Sequence, residues 1–302
     1  MGQKKRNSIV CLLILLLILA AAYFALQSWN KSKEETKQAR AEAEQIYITD
    51  IDKITGVQYD MGSGKMAFQK KKDTWYYAPD MDFPLAQSYP EQIAKDFSHL
   101  KAERELKDGD SLKDYGLEDP AYTVVLTDSD GEETTLYYGG AVGDSYYVTV
   151  GDTGRVYTVS STSVSELPAS LEEVAQLDTY PVIGSGNLKK VTIMKDGQTT
   201  TYDSENDENS KDIAAAAGGL GAVTLEKAAD YSAEDQDLAG YGLDEESRIT
   251  VEAVYTSNKK EKTLTLYIGK EDDDGNRYVM MNDSRIVYLI SDEVCQNILN
   301  EK

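Results

Sequence analysis

The chain has 302 residues, of which 53 are acidic and 31 basic, for a net charge of −22 at pH 7. That balance excludes a nucleic-acid surface, which needs clustered Lys and Arg, and adhesion of the folded part to anionic lipid. One histidine, His99, and two cysteines, Cys11 and Cys295, leave no material for most histidine-dependent catalysis or for most zinc sites.

Lys4, Lys5 and Arg6 precede an unbroken apolar run of 18 residues, Ile9 to Leu26. As a helix it is about 27 Å long at ~1.5 Å per residue, enough for a short bilayer span. Trp29 follows at the place of an interfacial aromatic. We read residues 1–8 as a cytoplasmic tail and 9–26 as a transmembrane helix, with the rest outside the cytoplasm by the positive-inside rule. A secretory signal cleaved at Ala20-Ala21-Ala22 is the competing reading. A lipoprotein signal is disfavoured, because Cys11 follows Ile9-Val10 and not small residues. Residues 27–45 are rich in strong helix formers (Lys31, Lys33, Glu34, Glu35, Lys37, Glu42, Glu44) with little apolar periodicity, which predicts a helical stalk.

From residue 46 the chain repeats itself. Leu112-Lys113-Asp114-Tyr115-Gly116-Leu117 recurs 126 residues later as Leu238-Ala239-Gly240-Tyr241-Gly242-Leu243. Strand patterns then match in order: Tyr122–Leu126 with Ile249–Val254, Leu136–Gly139 with Leu266–Gly269, Tyr147-Val148 with Tyr278-Val279, and Val156-Tyr157 with Val287-Tyr288. Helix-like tails close both copies, at 163–167 and 291–300. A period this long means tandem domains, since solenoid units are shorter.

The front of each copy is looser. Ile54–Tyr59, Lys65–Gln69 and Trp75–Tyr77 alternate like strands, and Val191–Met194 and Thr199–Tyr202 are their counterparts, joined by the hairpin signal Asp196-Gly197. Helices are expected over 90–100 and 210–220. The Pro/Gly patch at 179–186 marks a boundary, giving a first repeat over 46–180 and a second over 187–302. Short polar turns such as Asp128-Ser129-Asp130-Gly131 cannot make parallel crossovers. The fold class is therefore α+β, each repeat an antiparallel sheet with a helix on one face.

Tyr115-Gly116-Leu117 with Pro120, the strand–turn–strand with Gly139, and the Tyr-Val and Val-Tyr strands, behind an N-terminal apolar segment, resemble the bacterial family called domain of unknown function 4340. The resemblance covers most of residues 50–300. The second copy departs from it, with Glu246 in place of Pro120 and no Trp to match Trp75. It implies an extracytoplasmic protein associated with ABC-type transporter subunits, and carries no catalytic residues over.

Motifs for chemistry fail one by one. Gly62-Ser63-Gly64-Lys65 has Tyr59 and Met66 where a phosphate loop needs Gly and Ser or Thr. Asp272-Asp273-Asp274-Gly275-Asn276 would be an EF-hand centre, but Lys270 and Met281 stand at the end positions; Asp128–Gly131 fails likewise, with Leu126 and Tyr137. Acidic hairpin turns account for both, with weak calcium binding left open. Ser257-x-x-Lys260 falls in a polar turn, not at a helix start. His99 lies on a predicted helix, and Cys295 on an apolar stripe with Ile298 and Leu299, as a buried small hydrophobe. Paired carboxylates are available at any spacing among 53 acids, so their presence says nothing.

Tyr76, Tyr77, Tyr137, Tyr138, Tyr146, Tyr147 and Tyr157 lie on predicted strands. Adjacent tyrosines face opposite sides, so one of each pair is expected to be exposed. They fit β-propensity in a half-buried sheet, with an aromatic platform for glycan or protein as the functional alternative. The expectation is a membrane-anchored, non-enzymatic, extracytoplasmic binding or scaffold protein without cofactor or metal, partnered by transporter subunits and not by nucleic acid. The alternative is a cell-envelope hydrolase using paired carboxylates.

Overall fold

The computed structural model describes Gln27 and residues 45–62, 64–107 and 111–301. The span Ile9–Leu26 and nearly all of the stalk lie outside the described residues. Among the described residues no helix is long and apolar enough to cross a membrane.

In chain order the elements are β1 (Ile46–Tyr47), β2 (Ile54–Asp60), β3 (Lys65–Lys71), β4 (Thr74–Tyr77), α1 (Ser88–Ser98), β5 (Lys101–Ala102), β6 (Arg104–Leu106), β7 (Tyr122–Asp128), β8 (Glu133–Val142), β9 (Ser145–Val150), β10 (Val156–Ser160), α2 (Thr162–Ser165) and α3 (Leu171–Val174). There follow β11 (Leu188–Lys195), β12 (Gln198–Asp203), a 3-10 turn at Asp207–Asn209, α4 (Ser210–Gly221), β13 (Ala228–Asp230), α5 (Leu238–Tyr241), β14 (Ile249–Ser257), β15 (Lys260–Glu271), β16 (Asn276–Met281), β17 (Val287–Ser291) and α6 (Asp292–Leu299). Strands dominate, in two large antiparallel sheets with few helices. The chain divides into two compact units, Met1–Gly62 with Ile93–Leu167, and Ser63–Gln92 with Pro168–Lys302. The units are interleaved, where the sequence reading has two consecutive stretches.

In the first unit the strands run β2-β7-β8-β9-β10-β6, every pair antiparallel. Apolar residues alternate along them, so Val124 and Leu126 of β7 and Leu136 and Tyr138 of β8 are buried on one face. Helix α1 buries Ile93 and Phe97, four residues apart on one stripe. Thr49 ties down the end of α1: its hydroxyl donates to the Phe97 carbonyl and accepts the Leu100 N–H, both at 2.7 Å. That satisfies backbone groups which the helix end leaves unpaired.

In the second unit the order β11-β14-β15-β16-β17-β13 matches the first strand for strand, again antiparallel throughout. Strand β12 forms the outer edge beyond β11. Ile249, Val251, Ala253 and Tyr255 of β14 alternate into a core closed by Ala216, Ala217 and Leu220 of α4 and by Cys295, Ile298 and Leu299 of α6. Each fully buried large aliphatic side chain contributes about 1.5–3 kcal/mol. Gly219 lets the two helices touch, because a Cβ there would sit 2.5 Å from the Ile298 nitrogen. Two helices, not one, cover this face.

Residues 80–86 belong with this second unit. Leu85 bridges Ala175, Ala86 N–H donates to the Val174 carbonyl at 2.9 Å, and Phe83 packs its ring 5.2 Å from that of Tyr231. Ser232 donates its hydroxyl to Asp80.

Candidate functional site

The duplicated Tyr-Gly-Leu segments form the same turn twice. Leu117 N–H donates to Leu112 O at 2.9 Å and Gly116 N–H to Lys113 O at 3.0 Å; Leu243 N–H donates to Leu238 O at 2.8 Å and Gly242 N–H to Ala239 O at 3.1 Å. These paired six-to-one and five-to-two bonds are a Schellman motif, which needs a left-handed residue. Gly116 (φ 71°) and Gly242 (φ 67°) supply it. Each turn lies against a break in sheet register, between Tyr138 and Ala141 in β8 and between Ile268 and Glu271 in β15.

What the turns bury is also duplicated. Tyr115, Leu117 and Val156 form one cluster with Leu112, Tyr137 and Tyr147 against it. Leu238, Leu243 and Val287 form the other with Tyr241, Tyr267 and Tyr278. In the second unit this cluster lies across the sheet from the helices, since Val287 and Tyr288 are neighbours on one strand and serve different clusters. Pro120 is half-buried just ahead of β7. The clusters correct the expectation for tyrosine. None of the seven strand tyrosines is exposed: Tyr138 and Tyr157 are buried, and the other five are half-buried, Tyr137 and Tyr147 because the turn covers their side of the sheet. Tyr47 and Tyr89 are the exposed aromatics among the described residues.

Beside the second turn two grooves open, of about 550 and 600 Å³, sharing Asp235 and Arg285. Arg285 Nη1 and Asp235 Oδ1 are 2.6 Å apart. In the groove of about 550 Å³ Arg248 lies over the Tyr267 ring, 4.0 Å from its centroid, and its nearest carboxylate, Glu245, is at 4.0 Å. Ser284 also lines it, donating to Asp178 Oδ2 at 2.5 Å, and the same oxygen accepts from the Tyr288 hydroxyl at 2.9 Å. Burial, followed by that carboxylate, pushes the Tyr288 hydroxyl far above its ordinary value. Tyr241 donates to Asp230 at 2.9 Å and is pushed up to about 12, first by burial. Nothing in the sequence marked Arg248 or Arg285 as functional; Arg248, just ahead of β14, meets Tyr267 of β15 through the pairing of those two strands.

The remaining candidates resolve as local structure. Gly62 and Gly64, both at positive φ, separate β2 from β3, and no helix follows. Asp272 Oδ1 accepts the N–H groups of Asp274 and Asn276, and Asp128 Oδ1 those of Asp130 and Glu132. Each first aspartate thus pins its own turn, and the Asn276 N–H holds the Asp272 carboxyl below its usual value. Among the described residues no three His, Cys, Asp or Glu side chains converge as a metal site. Ser257 and Lys260 flank the tight turn Asn258-Lys259, both at positive φ, between β14 and β15. His99 pairs with the exposed Asp50 at 3.1 Å. Cys295 is fully buried. Glu105, of interest for carboxylate chemistry, is held low by the Arg155 guanidinium, opposite to a general acid.

The family model described as "Domain of unknown function (DUF4340)" matches residues 75–220 and 209–301. These matches span more than half of the chain, which belongs to that family. No curated protein and no solved structure matches it.

Proposed function

We propose that the chain is a membrane-anchored extracytoplasmic binding or scaffold protein, an accessory of an ABC-type transporter assembly. In this reading Ile9–Leu26 is an uncleaved anchor, residues 27–45 are a spacer, and the two halves are tandem α+β repeats of one ancestral module. The protein is non-enzymatic and its partners are the transporter's membrane subunits. The observation that carries the reading is the open surface around Arg248, Tyr267 and Arg285. It offers a stacked guanidinium, a second arginine and carboxylates of Asp235, Asp244, Glu245 and Asp283. A shallow surface with both charge signs and an aromatic suits a polypeptide better than a small metabolite, which is normally enclosed.

Affinity capture from detergent-solubilised membranes tests it. The full chain should retain ATP-driven transporter subunits, and the Arg248→Ala, Arg285→Ala double variant should retain fewer. Recovery of the chain without any such subunit would remove the proposal. A reporter active only outside the cytoplasm, fused after Lys302, should be active.

A further inference from the structure

We infer that the free edge of the second sheet, strand β12, pairs antiparallel with β12 of a second copy of the chain. The hairpin joining β11 and β12 turns through Asp196 (φ 51°) and Gly197 (φ 75°). A two-residue turn of this kind makes the flanking pair, Lys195 and Gln198, mutually hydrogen-bonded. The alternation then points the backbone groups of Gln198, Thr200 and Tyr202 at β11. The Ser204 N–H donating to Lys189 O at 2.8 Å, two steps beyond the Tyr202 pair, fixes the same parity. The N–H and C=O groups of Thr199, Thr201 and Asp203 therefore face outward, on a strand whose first four residues are exposed and beyond which, among the described residues, no strand lies in its sheet. The equivalent hairpin strand in the first half of the sequence, β3, is followed by β4, which pairs with it. After β12 the chain passes directly to the 3-10 turn and α4, with no strand between them among the described residues.

The strand is complementary to itself. Antiparallel pairing about Thr201 sets all three outward residues against outward residues: Thr201 faces Thr201, and Thr199 faces Asp203. Asp203 is the strand's one charged residue. It already lies opposite Lys190 on β11, and this register never opposes it to its own copy. Thr200 faces Tyr202 of the second copy, a β-branched and aromatic pair of the kind that stabilises antiparallel sheets. That side borders a mixed cavity of about 220 Å³, in which Ile193 and Leu299 stand beside the ion-paired Lys195 and Glu301, so an incoming Tyr202 meets both apolar and polar groups. The strand carries no Lys or Pro to block pairing. The opposing force is the net charge of −22 on each chain, so association should strengthen as salt screens it.

The test uses the full chain in detergent, followed by sedimentation velocity at low and high salt. A monomer–dimer equilibrium shifted toward dimer by salt is expected. Thr201→Pro removes an outward N–H at an edge where proline is tolerated, and should weaken dimerisation about tenfold or more with unchanged circular dichroism. Thr201→Lys opposes two like charges on the two-fold axis and serves if the proline variant fails to fold. In a Cys11→Ser background, Thr201→Cys should crosslink under mild oxidation and Thr199→Cys should not. A parent that stays monomeric at high salt, a folded Thr201 variant that dimerises like the parent, or equal crosslinking at both positions would overturn the inference.

Discussion

The carbonyl oxygen of Tyr115 stands 2.2 Å from where a Cβ on Gly139 would begin. It accepts the N–H of the next residue, Gly140, at 2.7 Å. Gly269 meets the Tyr241 carbonyl at the same 2.2 Å. In each half a turn from one part of the chain is pressed backbone to backbone onto a bulged strand, and hydrogen is the side chain that fits.

Gly139→Ala and Gly269→Ala should each cost about 3 kcal/mol, because the obstructing atom is main chain and cannot rotate away. Gly140→Ala, whose Cβ would meet the Tyr115 oxygen at an ordinary 3.5 Å, should be near neutral. Denaturant unfolding of the three variants measures the contrast.

Gly116→Val and Gly242→Val force a β-branched residue to positive φ, for about 1–2 kcal/mol each. The added Cβ would also lie 3.0 Å from the Gly140 nitrogen at Gly116 and 2.8 Å from the Lys270 nitrogen at Gly242, so the Gly242 variant should be slightly the worse. Asn at either position should recover part of the loss, since it tolerates the left-handed region. Thermal midpoints of the four variants decide.

Cys295 has its thiol pushed from an ordinary 9.0 up to about 12, chiefly by burial. The unfolded chain then releases this proton at a lower pH than the folded one. Stability from this group is complete below about pH 9 and declines as the pH rises toward 12. Peptide-resolved alkylation should leave Cys295 unmodified in the native chain at pH 8 and modify it in denaturant.

Asp272 has its pKa lowered by the Asn276 N–H first. A depressed acid stabilises the fold above its unfolded value and loses that contribution as the pH falls through the folded one. Asp272→Ala should therefore be less stable than the parent at neutral pH, and the two should converge in acid. Chemical denaturation at a series of pH values follows the convergence.

The strands, the hairpins and the left-handed glycines were legible because each rests on local chemistry: period-two burial in β14, Asp196-Gly197 at a two-residue turn, glycine between Tyr and Leu. The doubled tyrosines were misread because alternation says which side Tyr147 faces, and not that the Tyr115 ring waits there, 4.7 Å away. Tyr241 and Tyr278 repeat that pair at 5.0 Å. The groove was hidden for the same reason, since Arg248 and Tyr267 meet only through the pairing of β14 with β15. Thr49 gave no signal at all, as its partners are 48 and 51 residues away.

The interleaving of the two units sets an order of events during synthesis. Residues 63–92 leave the ribosome before any of 168–302, with which they pack. At ~5–20 residues per second the wait is roughly 4 to 15 s before even the first of those partners emerges. Through that interval Phe83 has the Tyr77 ring beside it at 5.5 Å, but Phe83 and Leu85, both buried in the finished fold, lack Tyr231 and Ala175, their partners from the later segment. A chain secreted or inserted as it is made thus passes through a stage with an apolar arm uncovered, when a chaperone outside the membrane would find most to hold.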